Sequence, residues 1–286
     1  MKKIFIIYVN YHSSEYILSS ISNINKQKSD IVQLTVIIVD NSGEFINGSL
    51  CSEYNNIVIL NNGRNIGYCG GNNLAYSYII KNELKGDILI CNPDTFFNIS
   101  SLEKIIQQVE VWGIYTLPAY DTSGNLLYTK VMLKGLLQKI SKKSNNTNFT
   151  DTDYCPGSFI YFKRDDSNHL SSLFDEDFFM YWEEVDLSLK IKKMNGKCCF
   201  VNNAGNIVRA DNKDGWLNKA IYYYLRNAFL IKTKHSDVIN SWDLFIFMIK
   251  SLAVFSIKAM VCRNEKMFKN MFLGVRDGLK NKFGKN

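Results

Sequence analysis

Through the first third of the chain, short uninterrupted apolar runs alternate with stretches whose apolar positions recur every three to four residues. The run at residues 3–11 predicts a buried strand, and residues 13–25 a helix capped by Ser13. The β-branched run 34–39 predicts a second strand that stops at Asp40-Asn41-Ser42-Gly43. A short third strand follows at 57–60, a helix at 71–82, a fourth strand at 87–91 ending in Asn92-Pro93-Asp94, and a helix at 101–109. Strands that are apolar along their whole length bury both faces. Alternating with helices, they predict a parallel sheet covered on either side.

The middle of the chain has a different pattern. Residues 115–132 read as two extended segments around the turn Asp121-Thr122-Ser123-Gly124, and the Asn/Ser/Thr-rich residues 141–153 as a mobile loop. A strand at 157–162, a helix at 184–194 closed by Asn195-Gly196, and a strand at 198–202 come next. Beyond Gly215 the periodicity is helical, and no internal repeat is visible. The expected organisation is an α/β domain over residues 1–235 and a helical tail over 236–286.

Composition narrows the class. The 286 residues are 46% hydrophobic and 21% charged, a globular mixture that excludes disordered, collagenous and disulfide-scaffold readings. The net charge of +7 is unevenly placed: residues 232–286 hold 11 Lys+Arg against 4 Asp+Glu, and the first 231 hold 23 of each. A neutral body argues against nucleic acid as a partner, and a basic tail points to a local anionic surface. The seven cysteines, Cys51, Cys69, Cys91, Cys155, Cys198, Cys199 and Cys262, form no C-x-x-C pair. They read as reduced thiols of a cytoplasmic protein rather than zinc or redox ligands. Met1-Lys2-Lys3 before an apolar run imitates a signal peptide, but the run ends early at Asn10-Tyr11-His12 and reads better as a first strand. No uninterrupted apolar run reaches the ~18 residues of a membrane span, so no spanning helix is expected.

Three apolar strands end in polar residues: at Asn10, at Asp40, and at Asn92-Pro93-Asp94. In open parallel sheets ligands lie beyond the carboxyl ends of the strands. Asp40 is placed to accept from a ribose hydroxyl or base N–H, or to close an Asx-turn with Asn41. The segment Gly63-Arg64-Asn65-Ile66-Gly67-Tyr68-Cys69-Gly70-Gly71-Asn72-Asn73 precedes a helix, so its free N–H groups are candidates to meet phosphate or base. It is neither G-x-G-x-x-G nor a Walker loop, which argues against NAD-type binding and NTP hydrolysis. Asp94, behind a rigid proline, suits a hard divalent cation shared with phosphate oxygens. Glu183-Glu184-Val185-Asp186 opens a helix that carries Lys190, Lys192 and Lys193 in its last turns. Those acids either complement the helix dipole or include a general base. Adjacent helix residues point about 100° apart, so only one acid aims squarely into a given cleft. The preceding Phe178-Phe179-Met180-Tyr181-Trp182 supplies an apolar wall, which raises a carboxylate pKa.

Val9-Asn10-Tyr11, Val39-Asp40-Asn41-Ser42, Asn65-Ile66-Gly67 with Gly70-Gly71-Asn72-Asn73, Asn92-Pro93-Asp94, Pro156-Gly157-Ser158-Phe159 and residues 178–187 occur in order. In this the chain resembles the family 2 glycosyltransferases of the GT-A fold, especially the rhamnosyltransferase-like branch that builds bacterial surface polysaccharides. The resemblance covers residues 3–235. It implies a Rossmann-like, mostly parallel sheet that binds a dTDP- or UDP-sugar. It also implies inverting transfer of a sugar, rhamnose in that branch, to a glycan or lipid-linked glycan. By this resemblance Asp40 and Asn65 hold the nucleoside, with Asn10, Gly67, Asn72 and Asn92 also in the donor site. Asp94 takes the place of the family's DXD aspartate, which binds Mg²⁺ or Mn²⁺ on the diphosphate. Glu184 takes the place of the catalytic base, with Glu183 and Asp186 in reserve; the family usually has Asp there. Arg209 stands where many relatives have a His near the metal; it cannot ligate a cation but can neutralise a diphosphate directly. Arg226, followed by Asn227, lines the acceptor or diphosphate side, or is part of a packed helix.

The tail remains. Residues 242–261 are mostly apolar, and positions 243, 250, 251, 258, 265 and 269 fall on one polar stripe of a helix. Such a helix either packs on the body or lies on an anionic membrane, followed by a Lys/Arg-rich end across residues 242–286. A lipid-linked acceptor makes the cytoplasmic face of the membrane the expected location. Two other classes are kept in view. A nucleotidyltransferase needs a Lys/Arg-rich clamp, and residues 63–73 offer only Arg64. A non-catalytic glycan-binding protein would keep the fold alone.

Overall fold

The protein is described by a computed structural model over residues 1–45, 56–143, 147–165, 167, 170–210 and 217–285. The four apolar runs of the first part form parallel strands, β1 (Lys2–Asn10), β2 (Val32–Asp40), β3 (Ile57–Asn61) and β4 (Asp87–Cys91), side by side as β3-β2-β1-β4. Ile4 to Val9 of β1 are all buried, as a continuous apolar run demands. The later strands are β5 (Thr95–Phe96), β6 (Gly113–Thr116), β7 (Ala119–Asp121), β8 (Leu126–Tyr128), β9 (Lys130–Lys134), β10 (Leu137–Ser141), β11 (Phe149–Asp151), β12 (Phe159–Lys163), β13 (Lys197–Val201) and β14 (Ile207–Arg209). Strand β12 lies antiparallel between β4 and β6, β13 runs parallel to β6, and β11 closes the edge antiparallel to β13. The central sheet is therefore mixed, in the order β3-β2-β1-β4-β12-β6-β13-β11.

A smaller sheet, β5-β14-β7-β8, stands beside the tip of β4. Its pairing of Arg209 with Thr95 brings the last strand against the segment that carries Asp94, and the Ala210 N–H donates to the Asp94 carbonyl at 2.9 Å. The helices are α1 (Ser14–Asn25), α2 (Gly67–Lys81), α3 (Ile99–Gln108), α4 (Glu183–Lys193), α5 (Leu217–Lys234), α6 (Ser241–Val261) and α7 (Glu265–Leu279).

Three local expectations are corrected. Ser13 precedes α1 but does not cap it with its side chain; its hydroxyl donates to Asn10 Oδ1 at 3.1 Å instead. Helix α2 begins at Gly67, ahead of the periodic apolar pattern, because its first turn is held by contacts to a distant loop. Within 141–153, β11 is an edge strand; Asn202 fixes it by donating to the Thr147 carbonyl at 2.7 Å and to Thr150 Oγ1 at 2.8 Å. Residues 144–146 of that segment, and Cys51, lie outside the described residues. The other six cysteines are unpaired, and all but Cys262 are buried.

The tail is only partly an appendage. Helix α7 lies on α5 so closely that a Cβ on Gly274 would sit 2.6 Å from the Tyr222 carbonyl and one on Gly278 2.3 Å from the Phe229 ring. Tyr222 donates to Asp277 at 3.0 Å across the same contact. Phe247, Met248, Met267 and Met271 join the main core. Helix α6 is also long and apolar enough to cross a membrane, with a mean hydropathy of 2.0 over an 18-residue window that is 17% buried. The expectation of no such helix rested on an unbroken run, and scattered polar residues do not lower the mean far enough.

Candidate active site

The parallel register places Asn10 opposite Asp40 at the tips of β1 and β2. Asn10 Nδ2 donates to Asp40 Oδ1 at 2.9 Å and to Glu44 Oε2 at 2.9 Å. The Asp40 carboxylate also accepts the N–H groups of Ser42 at 3.1 Å, Gly43 at 3.0 Å and Phe45 at 2.8 Å. Burial pushes its pKa up, but the hydrogen bonds from Phe45, Asn10 and Ser42 outweigh it and hold the group below the usual carboxylate range. Asp40 is 1% exposed and so closes a turn of its own loop, whereas Glu44 beside it is exposed. Of the two readings of Asp40, the geometry therefore matches the Asx-turn.

The N–H groups expected to be free in residues 63–73 are largely engaged. Gly63 donates to Asn61 Oδ1 at 2.9 Å, Arg64 to Asn62 Oδ1 at 3.0 Å and Gly67 to Asn65 Oδ1 at 2.8 Å. Tyr68 and Cys69, at the start of α2, both donate to the Phe179 carbonyl, at 2.9 and 3.2 Å. The helix N-terminus is thus occupied by protein. Gly67 takes φ +80°, and any Cβ there would lie 2.5 Å from the Phe179 ring, so only glycine fits. Asn72 is fully buried; its Nδ2 donates to the Tyr68 carbonyl at 2.9 Å and its Oδ1 is left without a partner. Asn92 joins the tip of β4 to the loop before β12 through its N–H, which donates to the Ser158 carbonyl at 3.1 Å.

Phe179 belongs to an unusual turn. Phe179, Tyr181 and Trp182 have φ values of +62°, +69° and +75°. Left-handed non-glycine residues of this kind cost about 1–3 kcal/mol each and persist only where the surroundings enforce them. Here the enforcement comes from α5. Asn227 Nδ2 donates to the carbonyls of Phe178, Met180 and Tyr181 at 2.8, 2.8 and 2.9 Å. Arg226 donates to the carbonyls of Asp177 and Phe178 at 2.9 and 3.0 Å and to Asn227 Oδ1 at 2.8 Å. Its guanidinium is 1% exposed and lies 4.8 Å from the Tyr223 ring centroid. Those bonds occupy the donors that contact with a diphosphate or acceptor would need. Arg226 is a clamp on the turn, which corrects the donor-site assignment and matches the packed-helix alternative.

The turn delivers the three acids of α4 in three directions, as helical geometry requires. Asp186 is fully buried and committed, 2.8 Å from His235 Nε2 and 2.5 Å from Lys190 Nζ. That ion pair removes it from the candidates for a free base. Glu183 is 6% exposed and faces Tyr68 and Cys69, whose pKa values it raises after burial itself. Burial and the neighbouring Glu184 charge push Glu183 well above the usual carboxylate range. Glu184 is half-buried, with Oε2 lacking any partner, and burial pushes it up to about 6. Its charge reaches Tyr154 and Tyr224; the Tyr224 phenol, mainly by burial, is pushed up to about 12. Trp182 stacks on Tyr224 with centroids 5.4 Å apart, so the expected apolar wall is present and is completed by tyrosines. The sequence pattern missed Tyr68, Tyr154 and Tyr224. Tyr154 lies two residues before the Pro156-Gly157-Ser158-Phe159 motif, the nearest signal to it.

Asp94 is half-buried; burial raises its pKa and the Arg209 charge partly offsets that. Tyr128 bonds Ser158 Oγ at 2.8 Å; burial raises its phenol, and the Arg209 charge partly offsets that. Among the described residues no group of three or more His, Cys, Asp or Glu side chains is arranged to hold a metal. The donor set fits a cation that takes one protein carboxylate and completes its shell with phosphate and water, as Mg²⁺ commonly does, and not a cation held in a closed protein cage.

No protein-family model matches the chain. It is 24% identical over 265 residues to the rhamnosyltransferase WbbL of Escherichia coli (strain K12), covering 83% of this chain and 98% of WbbL. It is 26% identical over 299 residues to the low-salt glycan biosynthesis hexosyltransferase Agl10 of Haloferax volcanii, covering 98% of this chain and 92% of Agl10. Among solved structures, the mannosyltransferase PcManGT of Pyrobaculum calidifontis, in complex with GDP-Man and Mn²⁺, superposes with a TM-score of 0.59 at 14% identity, covering 98% of this chain and 88% of that one. TarS of S. aureus with UDP-GlcNAc gives 0.59 at 11% identity, covering 97% and 81%. GalNAc-T7 with UDP, GalNAc and Mn²⁺ gives 0.61 at 13% identity over 82% of this chain, which spans 48% of GalNAc-T7. The chain therefore has the GT-A fold of these glycosyltransferase structures, and both of these sequence relatives are glycosyltransferases.

Proposed function

We propose that the chain is an inverting, family 2 enzyme that moves a sugar from a dTDP- or UDP-sugar to a hydroxyl of a growing, lipid-linked glycan at the cytoplasmic face of the membrane. The observation that carries this reading is Glu184: a carboxylate at a helix start, one oxygen unpartnered, raised to about 6 by burial among tyrosines. A group with that pKa is ionised at neutral pH yet basic enough to take a proton from an attacking hydroxyl. The relation to WbbL makes rhamnose the first sugar to test.

Glu184 receives the acceptor proton as the acceptor oxygen attacks the anomeric carbon from the face opposite the leaving diphosphate. Glu183 beside it is pushed well above the usual carboxylate range, by burial first and by the Glu184 charge second, which disfavours a second negative charge in that cleft. Asn10, Asn65, Gly67, Asn72 and Asn92 form the donor side through the loops at the strand tips, with Asp40 acting through the loop it closes. Asp94 is the residue to hold a divalent cation, which when bound neutralises phosphate charge. Arg209 supplies fixed positive charge at the same place, so dependence on the cation is expected to be partial. Exposed apolar side chains of α6, among them Trp242, Phe245, Ile249 and Ile257, support contact with lipid, with lysines of the same tail for anionic headgroups. The other face of α6 packs Phe247 edge-on to Trp182 at 5.4 Å, which favours a helix lying on the surface over one spanning it.

Thermal shift against a panel of nucleotide-sugars, followed by NMR of the product's anomeric configuration, tests the assignment. Glu184→Gln is expected to abolish transfer and leave donor binding intact. Unchanged turnover in that variant, or a product that retains the donor's configuration, removes the reading.

A further inference from the structure

The segment after α7 returns to the catalytic site. The Gly284 N–H donates to the Asp177 carbonyl at 2.7 Å, and the Gly284 carbonyl accepts from Arg226 Nη1. Phe283 lies under the same guanidinium, 6.0 Å from centroid to Cζ. One residue on, Lys285 Nζ donates to the Asn65 carbonyl at 2.6 Å. Three consecutive residues therefore touch the two walls of the cleft: the turn that aims Glu184 and the loop that carries Asn65.

We propose that Phe283-Gly284-Lys285 is a positioning strap of the active site, holding the Asp177–Trp182 turn and the Asn65 loop in the geometry that transfer requires. The inference rests on the reading of Glu184 as the base. The guanidinium of Arg226 gives its donors to neutral oxygens, those of Asn227, Asp177, Phe178 and Gly284. Without Gly284, a buried cation loses one of those oxygens, and the left-handed residues it braces lose a support at Asp177. Gly284 itself has φ +84°, so other residues do not take its place without strain. Lys285 acts separately. Asn65 Oδ1 accepts from Gly67, so steadying the Asn65 backbone steadies the loop that α2 grows from.

The test uses full-length protein and steady-state kinetics. Gly284→Pro removes the donated N–H and the left-handed conformation; kcat is expected to fall roughly 10-fold, since small misplacement of a reacting group is costly. Donor KM should stay within about 2-fold, and the acidic limb of the kcat profile should move with the altered surroundings of Glu184. Lys285→Ala should raise donor KM about 3-fold at unchanged kcat, in keeping with one exposed charged contact, and Lys285→Arg should restore it. If Gly284→Pro fails to fold, the Lys285 pair still decides. Parent-like kcat, KM and pH profile in Gly284→Pro and Lys285→Ala overturn the strap. Full turnover in Glu184→Gln instead removes the base, and with it the purpose of the strap.

Discussion

At the scale of single residues, environment separates side chains that the sequence left equal. Glu183, Glu184 and Asp186 lie within one turn, yet Glu183 is buried against tyrosine and cysteine, Glu184 is half-buried, and Asp186 is locked to Lys190 and His235; an oxygen of Glu183 and one of Glu184 are both without a partner. The raised Glu184 pKa has two consequences of known sign. The folded value of about 6 exceeds the ordinary 4.5, so the folded protein retains a proton that the unfolded chain releases across that interval. Stability therefore falls as pH rises from 4.5 to 6, and the full penalty is present above it. Glu184→Gln should accordingly raise Tm at pH 8 and leave it unchanged at pH 4, read by calorimetry, while abolishing transfer. In the parent enzyme kcat should climb through an acidic limb with a midpoint near the same pKa. A second prediction concerns Asp94 and Arg209, proposed above to meet the donor's phosphates. Asp94→Asn should weaken donor binding and blunt its response to Mn²⁺. Arg209→Ala should make activity more sensitive to EDTA, because the fixed cation no longer shares the load. Titration of donor with and without EDTA reads both.

Among elements, the parallel strands and their helices were legible because a parallel strand is apolar along its buried stretch, as Ile4 to Val9 of β1, Val36 to Val39 of β2 and Ile88 to Cys91 of β4 are. Polar strand tips marked the site region for the same reason. The edge strand β11 was not legible: Phe149, Thr150 and Asp151 carry no strand pattern, and the strand exists through Asn202 and its pairing with β13. Nor was the role of Arg226. A charged residue in an aromatic stretch reads equally as a ligand or as part of a packed helix, and only the fold shows that its partners are backbone carbonyls of a turn far away in sequence. The occupied N-terminus of α2 escaped notice because Phe179 arrives from another part of the chain. The contact of α7 with α5 depends on glycine in a way sequence patterning also hides, since a helical glycine looks like a defect. Gly274→Val should destabilise the fold by about 1–3 kcal/mol through overpacking against the Tyr222 backbone, measured by urea unfolding.

For the whole molecule, the uneven charge of the sequence becomes a surface. The tail packs one side of α6 and α7 into the body and leaves Trp242, Phe245, Ile249, Val254, Ile257 and Phe272 more than half exposed. Replacing Trp242, Phe245, Ile249 and Ile257 by serine should release the protein from anionic phosphatidylglycerol vesicles in a flotation assay and leave transfer to a short soluble acceptor unchanged. Binding of the parent should also weaken as salt rises. The left-handed turn before Glu184 has a consequence in time as well. Its Phe179 carbonyl is met by Tyr68 and Cys69, which are made before it, but the groups that hold Asp177, Phe178, Met180 and Tyr181 belong to Arg226, Asn227 and Gly284, all translated after it. Chains begin to fold while the ribosome is still working, and strands β1 to β4 precede all three of these later residues. The turn that precedes Glu184 therefore lacks part of its bracing until residue 284 has been made, and its native geometry is among the last features the growing polypeptide acquires.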